Sequence, residues 1–293
     1  MSAPALTRTG EEATPRPGAA RPVAGRDFWK GLTRALAGAV LFGLPLLMTM
    51  EMWTLGFVMR PERLALMLVL LVPLLTGLAY YGGFRHNIGL GDSIVDAFVA
   101  FALGAVASVI VLFAFGVLDG RSSLQQIVGV VALESVPAAI GAALASSQLG
   151  LEEEDEGRRD WDDSYAGELL LMVAGALFFA FNVAPTEEVV QITLEQGHAL
   201  YAIGLMIASL LLLHAFVYAL DFKGQHERAH EDARLSPFVS LTVPGYTLVL
   251  LVSLLVLWLF GRLDGLQPAQ ALHMTAVLGL PGALGAATAR LVL

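Results

Sequence analysis

Eight long apolar runs, each of about 20 residues, dominate this sequence. A helix rises 1.5 Å per residue, so runs of this length can cross the roughly 30 Å hydrocarbon core of a bilayer. The predicted spans are 29–58, 64–83, 93–118, 124–147, 168–194, 199–221, 237–261 and 267–292. In lipid, helices of this length satisfy all their own backbone hydrogen bonds. The sequence therefore predicts an all-α, polytopic transmembrane helical bundle with about eight spans.

The composition agrees with a membrane setting. Of the 293 residues, 56% are hydrophobic and 15% are charged, whereas soluble domains carry about 25% charged residues. The chain has no cysteine, which excludes disulfides, thiol catalysis and thiolate metal sites, and we predict no cofactor. The net charge of −9 argues against a nucleic-acid partner. The expected partners are the lipid bilayer and inorganic cations or protons, and a homo-oligomer is compatible with the sequence.

The chain divides into four predicted parts. Residues 1–27 have the composition of a disordered cytoplasmic tail, and residues 28–147 form a first transmembrane repeat. Residues 148–167 form an acidic cytoplasmic linker, because 8 of the 26 acids lie between Glu152 and Asp163. Residues 168–293 form a second transmembrane repeat. The first apolar run begins only after Trp29, so we expect the first span to be retained rather than cleaved as a signal peptide.

The basic residues predict the orientation. With the amino terminus inside, 13 of the 17 Lys and Arg residues lie on the side of both termini. The other side keeps Arg60, Arg63, Arg121 and Arg262. Basic residues are retained in the cytoplasm, so we expect a multi-pass protein of the bacterial inner membrane with both termini cytoplasmic.

Three sequence blocks recur in the same order in the two halves. They are Ala37–Phe42 with Ala174–Phe179, Phe115–Gly120 with Phe260–Gly265, and Val136–Ala143 with Leu280–Ala287. At the offset of the first block, Thr49 aligns with Thr186 and Glu51 with Glu188. Close helix packing favours small residues and would explain part of this likeness, but not the Thr and Glu positions. The pattern predicts two tandem four-helix repeats of parallel orientation.

Acidic residues inside spans mark candidate sites, because a charge in hydrocarbon is costly. Glu51 and Glu188 each lie about 20 residues into a span, which places both in its outer third. Across the repeat axis they would face each other near the hydroxyls of Thr49 and Thr186. Such hard oxygen ligands bind cations, and their negative potential repels anions. The alternative is that both acids are simply solvated at the headgroup level.

Two prolines bear on the same region. Pro185, followed by Thr186 and two glutamates, should kink or break the fifth span after Ala184. Pro45 should kink the first span. Kinks free backbone carbonyls that can line a cavity.

Further titratable residues are candidates for the pathway. Glu134 is the most deeply placed acid, and its aligned position is near Leu278. It would be either the proton site of a coupled transporter or an acid held neutral by a hydrogen bond to a neighbouring helix. Glu187 is a further pathway candidate. His214 and His273 would either relay protons or form interhelical hydrogen bonds.

Two stretches carry a resemblance to a known family. The eight spans, together with Met48–Trp53 and Ala184–Glu188, resemble a bacterial family of integral membrane proteins of unknown function. The resemblance covers nearly all of the chain after residue 27. It implies a membrane protein and no particular activity.

A second resemblance is local. Ala184–Val190 resembles the di-glutamate motif of the CAAX-processing and bacteriocin-immunity intramembrane proteases. In that family the glutamates activate water, an arginine follows shortly after, and later histidines complete the site. His214 and His273 would supply the histidines here. However, Ile192 stands where the arginine is expected, and Val277 stands where an asparagine should follow the second histidine.

We interpret the chain as an integral membrane protein that permeates or transports cations. The predicted site lies at the repeat interface and is formed by Glu51, Glu188, Thr49 and Thr186. This interpretation uses both repeats, whereas the protease interpretation uses one motif, so an enzyme is the less favoured class. The alternatives are a di-glutamate intramembrane protease and a non-catalytic membrane scaffold or sensor.

Overall fold

A computed structural model describes residues 25–82, 89–119, 121–149, 165–216 and 238–292 of the chain. The helices of these ranges are α1 (Gly25–Leu47), α2 (Met50–Val58), α3 (Pro61–Gly82), α4 (Leu90–Ala114), α5 (Leu124–Leu149), α6 (Tyr165–Val183), α7 (Glu187–Glu195), α8 (Ala199–His214), α9 (Val243–Leu259) and α10 (Pro268–Val292). A π-helical turn at Phe238–Thr242 leads into α9. The described ranges contain no strand, so the all-α prediction is confirmed. Most of the predicted tail and most of the predicted linker lie outside the described residues, and residues 25–27 of the tail belong to α1.

Seven helical stretches in the described ranges are long and apolar enough to cross a membrane. They are Trp29–Leu47, Pro61–Tyr81, Leu90–Ala114, Leu124–Ala145, Tyr165–Val183, Phe238–Leu259 and Pro268–Leu291. Helix α8 is also apolar but has only 16 residues, and the predicted continuation of this span to residue 221 runs beyond the described residues. With α8 as an eighth element, the helices agree with a prediction of about eight spans.

The first and fifth predicted spans are both interrupted. The break in the fifth span was expected at Pro185, and α6 ends at Val183. A continuous first span over residues 29–58 is wrong, because α1 ends at Leu47 and α2 begins at Met50. At the break, Thr49 has extended backbone angles, and both its amide and its hydroxyl donate to the Leu46 carbonyl, at 3.0 and 2.9 Å.

The two halves pack in the same way around their last helix. In the first half, α1 to α4 all contact α5, and in the second half, α6 to α9 all contact α10. These two central helices are also the most buried spans, with 78% of the α5 window and 67% of the α10 window buried. Each half therefore has one central, largely buried helix against which its other helices pack.

Glycines allow close helix crossings at aligned positions in both halves. A Cβ atom on Gly141 of α5 would lie 2.7 Å from the carbonyl oxygen of Gly38 in α1. A Cβ atom on Gly285 of α10 would lie 2.9 Å from the carbonyl carbon of Gly175 in α6. These matched crossings support the tandem repeat, which stays a prediction.

The halves meet mainly through α3. This helix packs against α6 and α9, and α1 and α5 add smaller contacts with α6. Arg63 of α3 reaches the loop after α9 and forms two hydrogen bonds with Asp264, at 2.9 and 2.6 Å. The first half is thereby tied to the second by a charged pair as well as by apolar packing.

Candidate functional site: two helix breaks and a buried glutamate

The first helix break carries Thr49 and Glu51. Thr49 is the N-cap residue of α2 but makes no side-chain capping bond, so the first amide groups of this helix are left uncapped by it. Glu51 follows in the first turn and is exposed. Among the described residues, Glu51 has no ion-pair partner. Its carboxylate is therefore available to ions that approach this end of the bundle.

The second break repeats this arrangement. The hydroxyl of Thr186 donates to the Val183 carbonyl at 2.8 Å, as Thr49 does to Leu46 in the first half. Glu188 lies in the first turn of α7 and is exposed. Its own backbone amide lowers the pKa of the Glu188 carboxyl. This group is thus a charged anion at neutral pH.

The two acids lie on helices that pack against different partners. Helix α2 packs against α5, whereas α7 packs against α10. Both carboxylates are exposed rather than enclosed. The facing pair of Glu51 and Glu188 therefore stays a prediction.

Glu187 has a partner that the sequence did not indicate. Its carboxylate accepts a hydrogen bond from Arg262 at 3.0 Å, and the same guanidinium also donates to the Pro185 carbonyl. The Pro185 carbonyl at this break is thus occupied by an arginine. Pro45, the other expected kink, lies exposed within α1.

Glu134 lies in the middle of α5 and is fully buried, with 0% of its surface exposed. Neither carboxyl oxygen has a hydrogen-bond partner among the described residues. One alternative for Glu134 was a hydrogen bond to a neighbouring helix that holds the acid neutral. No such hydrogen bond is present among the described residues. A buried acid without a partner is a functional candidate inside a membrane protein.

The two histidines differ in their surroundings. The Nδ1 atom of His214, at the end of α8, lies 3.1 Å from the Thr242 hydroxyl. This contact is an interhelical hydrogen bond, one of the two roles that the sequence analysis considered for His214. His273 in α10 is buried, and its ring packs beside Tyr201 with centroids 5.8 Å apart. The Nε2 atom of His273 has no hydrogen-bond partner among the described residues.

Two features of the site were missed by the sequence analysis. Ser108 of α4 is buried, and its hydroxyl has no partner among the described residues, but a serine in an apolar helix gives no signal of this. Arg63 is also buried, and its guanidinium lies 4.9 Å from the ring centroid of Trp258. An arginine near the start of an apolar run was the only sequence signal for that contact.

Comparison with known proteins identifies the family. Residues 31–293 match the family described as "Putative integral membrane protein (DUF2391)". No curated protein and no solved structure matches the chain. Since the match covers most of the chain, the chain belongs to this family of integral membrane proteins, and the family resemblance expected from the sequence is confirmed. The resemblance to intramembrane proteases is not supported by these comparisons.

Proposed function

We propose that this member of a family of integral membrane proteins transports small inorganic cations across the bilayer. The observation that carries the proposal is the pair of matched helix breaks. Each half interrupts a membrane helix at an aligned position, and each places a threonine and an exposed glutamate at the interruption. Interrupted helices line ion sites in many transporters, because their ends present backbone groups that a continuous helix keeps bonded to itself.

The charges at the breaks favour cations. Glu51 and Glu188 both lie in the first turn of a short helix and are exposed, so they create a negative potential on that end of the bundle. Such a potential concentrates cations and repels anions. The ionised state of Glu188 at neutral pH, which follows from its lowered pKa, supports this role.

The protease alternative is less well supported. Glu187 is paired with Arg262 rather than with a histidine. His214 lies at the far end of α8 from α7, and the 16 residues of this helix span about 24 Å. A water-activating site would need these groups together.

We further propose that the protein lies in the bacterial inner membrane with both termini cytoplasmic. The support is the distribution of the 17 basic residues, 13 of which fall on the side of the termini. The acids at the two breaks would then lie toward the outer surface.

Tracer flux into proteoliposomes tests the transport proposal. We expect the purified protein to carry Na⁺ or K⁺ faster than protein-free liposomes. Glu51→Gln and Glu188→Gln should each lower the flux, and the double variant should be little worse than either if the two acids act together. Glu62→Gln is the matched control, since Glu62 is an exposed acid in the first turn of α3.

Two outcomes would contradict the proposal. One is a flux no greater than that of protein-free liposomes, which would favour a scaffold or sensor. The other is an unchanged flux in both single variants. Cleavage of a membrane peptide that is lost in Glu187→Gln would instead establish the protease alternative.

A further inference from the structure

We propose that Glu134 is the site where a proton is exchanged for the transported cation, and that only the first half contains this site. The inference rests on the proposed function and adds the coupling ion and its location. It starts from the position of Glu134 relative to the break between α1 and α2.

Close contacts on either side of Glu134 fix that position. A Cβ atom on Gly43 of α1 would lie 3.1 Å from the Cβ of Ala138, and one on Gly56 of α2 would lie 2.7 Å from the Cα of Val130. Glu134 lies one turn from each of these α5 residues, and residues four apart share a helix face. The stripe of α5 that contacts α1 and α2 therefore includes Glu134, at the level where one helix ends and the other begins.

The ends of the broken helix suit a cation at that level. The carboxyl end of α1 carries partial negative charge, since its last carbonyls lack helical partners. Two of these carbonyls accept hydrogen bonds from side chains: Leu46 accepts from the Thr49 hydroxyl and Leu47 accepts from the indole of Trp53, both at 2.9 Å. Polar backbone and a buried carboxyl group thus lie at the same level of a predominantly apolar bundle.

A second unpartnered polar group lies at the same level. A Cβ atom on Gly104 of α4 would lie 2.6 Å from the backbone nitrogen of Ala139, which sets the register of the antiparallel helices α4 and α5. Ser108 lies one turn farther along α4 on the same face, opposite the turn of α5 that contains Glu134. The Ser108 hydroxyl and both Glu134 oxygens are buried without hydrogen-bond partners among the described residues.

The second half is built differently at the aligned positions. Leu278, fully buried, stands where the first half has Glu134. Ser253 stands where it has Ser108, and its hydroxyl donates to the Val249 carbonyl at 2.8 Å. The two halves share their helix breaks and the crossings of Gly38 with Gly141 and of Gly175 with Gly285, but at this level the second half has a leucine where the first has a buried acid.

Within the part of the chain that the structure describes, no counter-charge reaches Glu134 from the helices packed against α5. Their described titratable side chains are Lys30, Arg34, Glu51, Glu62, Arg63, Tyr80, Tyr81, Asp92, Asp96, Tyr165 and Glu168. Most of these lie near helix ends, and Arg63 is held by Asp264. Glu51 is on the broken helix itself but is exposed. Asp96 is buried in α4, two turns before Gly104 and thus away from the level of Glu134.

The exchange balances in charge. Without a bound cation, Glu134 is a protonated, neutral carboxylic acid. An interior with no positive charge nearby favours this neutral form. When a monovalent cation enters, the O–H bond breaks, the proton leaves to water, and the carboxylate keeps the electron pair and faces the cation. One proton leaves for each cation that binds, so the net charge of the site stays the same.

Proton movement in proteoliposomes tests this exchange. A Na⁺ or K⁺ gradient across wild-type proteoliposomes should drive protons in the opposite direction, as read from a trapped pH-sensitive dye. Glu134→Gln should lose this movement while its elution volume and melting temperature show that it is folded. Ser108→Ala should raise the cation concentration needed for half-maximal exchange, whereas the matched control Ser253→Ala should not.

An infrared measurement covers the case in which Glu134→Gln fails to fold. Adding the transported cation to wild-type protein should remove a protonated carboxyl band, and Glu134→Asp should shift that band. Cation flux without proton movement, or a band that does not respond to the cation, would overturn the exchange and leave the transport proposal standing. The absence of any Na⁺ or K⁺ flux would overturn both.

Discussion

The contact between Arg63 and Asp264 should be a main stabilising link between the two halves. Replacing Asp264 by Asn removes the charge while keeping the shape of the side chain. In the wild type, the guanidinium forms hydrogen bonds of 2.9 and 2.6 Å with the carboxylate and lies 4.9 Å from the Trp258 ring centroid. Asp264→Asn would leave the buried arginine with one neutral amide oxygen and the ring in place of the carboxylate.

The expected loss lies between two reference cases. Hydrogen bonds to charged groups contribute about 1.5–3 kcal/mol, and exposed ion pairs about 0.2–1 kcal/mol. The Arg63 side chain is 9% exposed but the Asp264 side chain is 55% exposed, so solvent screens one partner. We therefore expect Asp264→Asn to cost about 1–2 kcal/mol, which lowers the melting temperature of a chain of this size by roughly 2–4 °C.

Thermal unfolding in detergent measures this loss against a matched control. Asp119 occupies the aligned turn of the first half, and its carboxylate accepts hydrogen bonds from Arg121 and Ser122 of its own turn. Asp119→Asn should therefore change the melting temperature much less than Asp264→Asn. If the two variants lose the same amount, the link between the halves contributes nothing beyond ordinary turn chemistry, and the reasoning is refuted.

The same pair has a predictable pH dependence. Its hydrogen bond with Arg63 lowers the pKa of Asp264 below the usual 3.8. A carboxyl group with a lowered folded-state pKa stabilises the protein above its unfolded-state pKa and loses that contribution as the pH falls through the folded-state value. The difference in melting temperature between wild type and Asp264→Asn should thus be constant above pH 3.8 and shrink below it.

Two further predictions concern packing and topology. Gly141→Val should destabilise the protein by about 1–3 kcal/mol, because even a Cβ atom there would lie 2.5 Å from Phe42. Gly204→Val should be tolerated, since nothing lies within 4 Å of a Cβ atom at that position. Equal melting temperatures for the two variants would refute the close crossing. A cysteine replacing Ser164 should be labelled only from the cytoplasm and one replacing Ser123 only from outside. An impermeant thiol reagent tests this, because the chain has no cysteine of its own. Labelling of Ser164→Cys in intact cells would reverse the orientation.

The spans could be predicted because their signal is local. Apolar runs of sufficient length form helices in lipid. Pro185 predicts the break in the fifth span, because proline has no backbone N–H donor. The break at Thr49 was not predicted, since the residues around it, Met48 and Met50, are apolar and compatible with a continuous helix. Thr49 donates its hydroxyl three residues back, whereas Thr54 and Thr76 donate four residues back within continuous helices, so the presence of a threonine gives no signal of the break.

The candidate site could be predicted only in part. Sequence alone marked Glu134 as a deeply placed acid, but which helices surround it depends on crossings set by Gly43 and Gly56 in other elements. The pairing of Arg63 with Asp264 joins residues 201 positions apart, and no periodic pattern connects them. Contacts of this kind arise from how helices pack, which hydropathy along the chain does not encode.

Tracer uptake of Na⁺ and K⁺ into proteoliposomes tests cation transport most directly. The account predicts saturable uptake by the wild-type protein above that of protein-free liposomes, with a clear reduction in Glu188→Gln and none in Glu62→Gln. Uptake equal to that of protein-free liposomes for both ions, by protein shown to be folded, would contradict it.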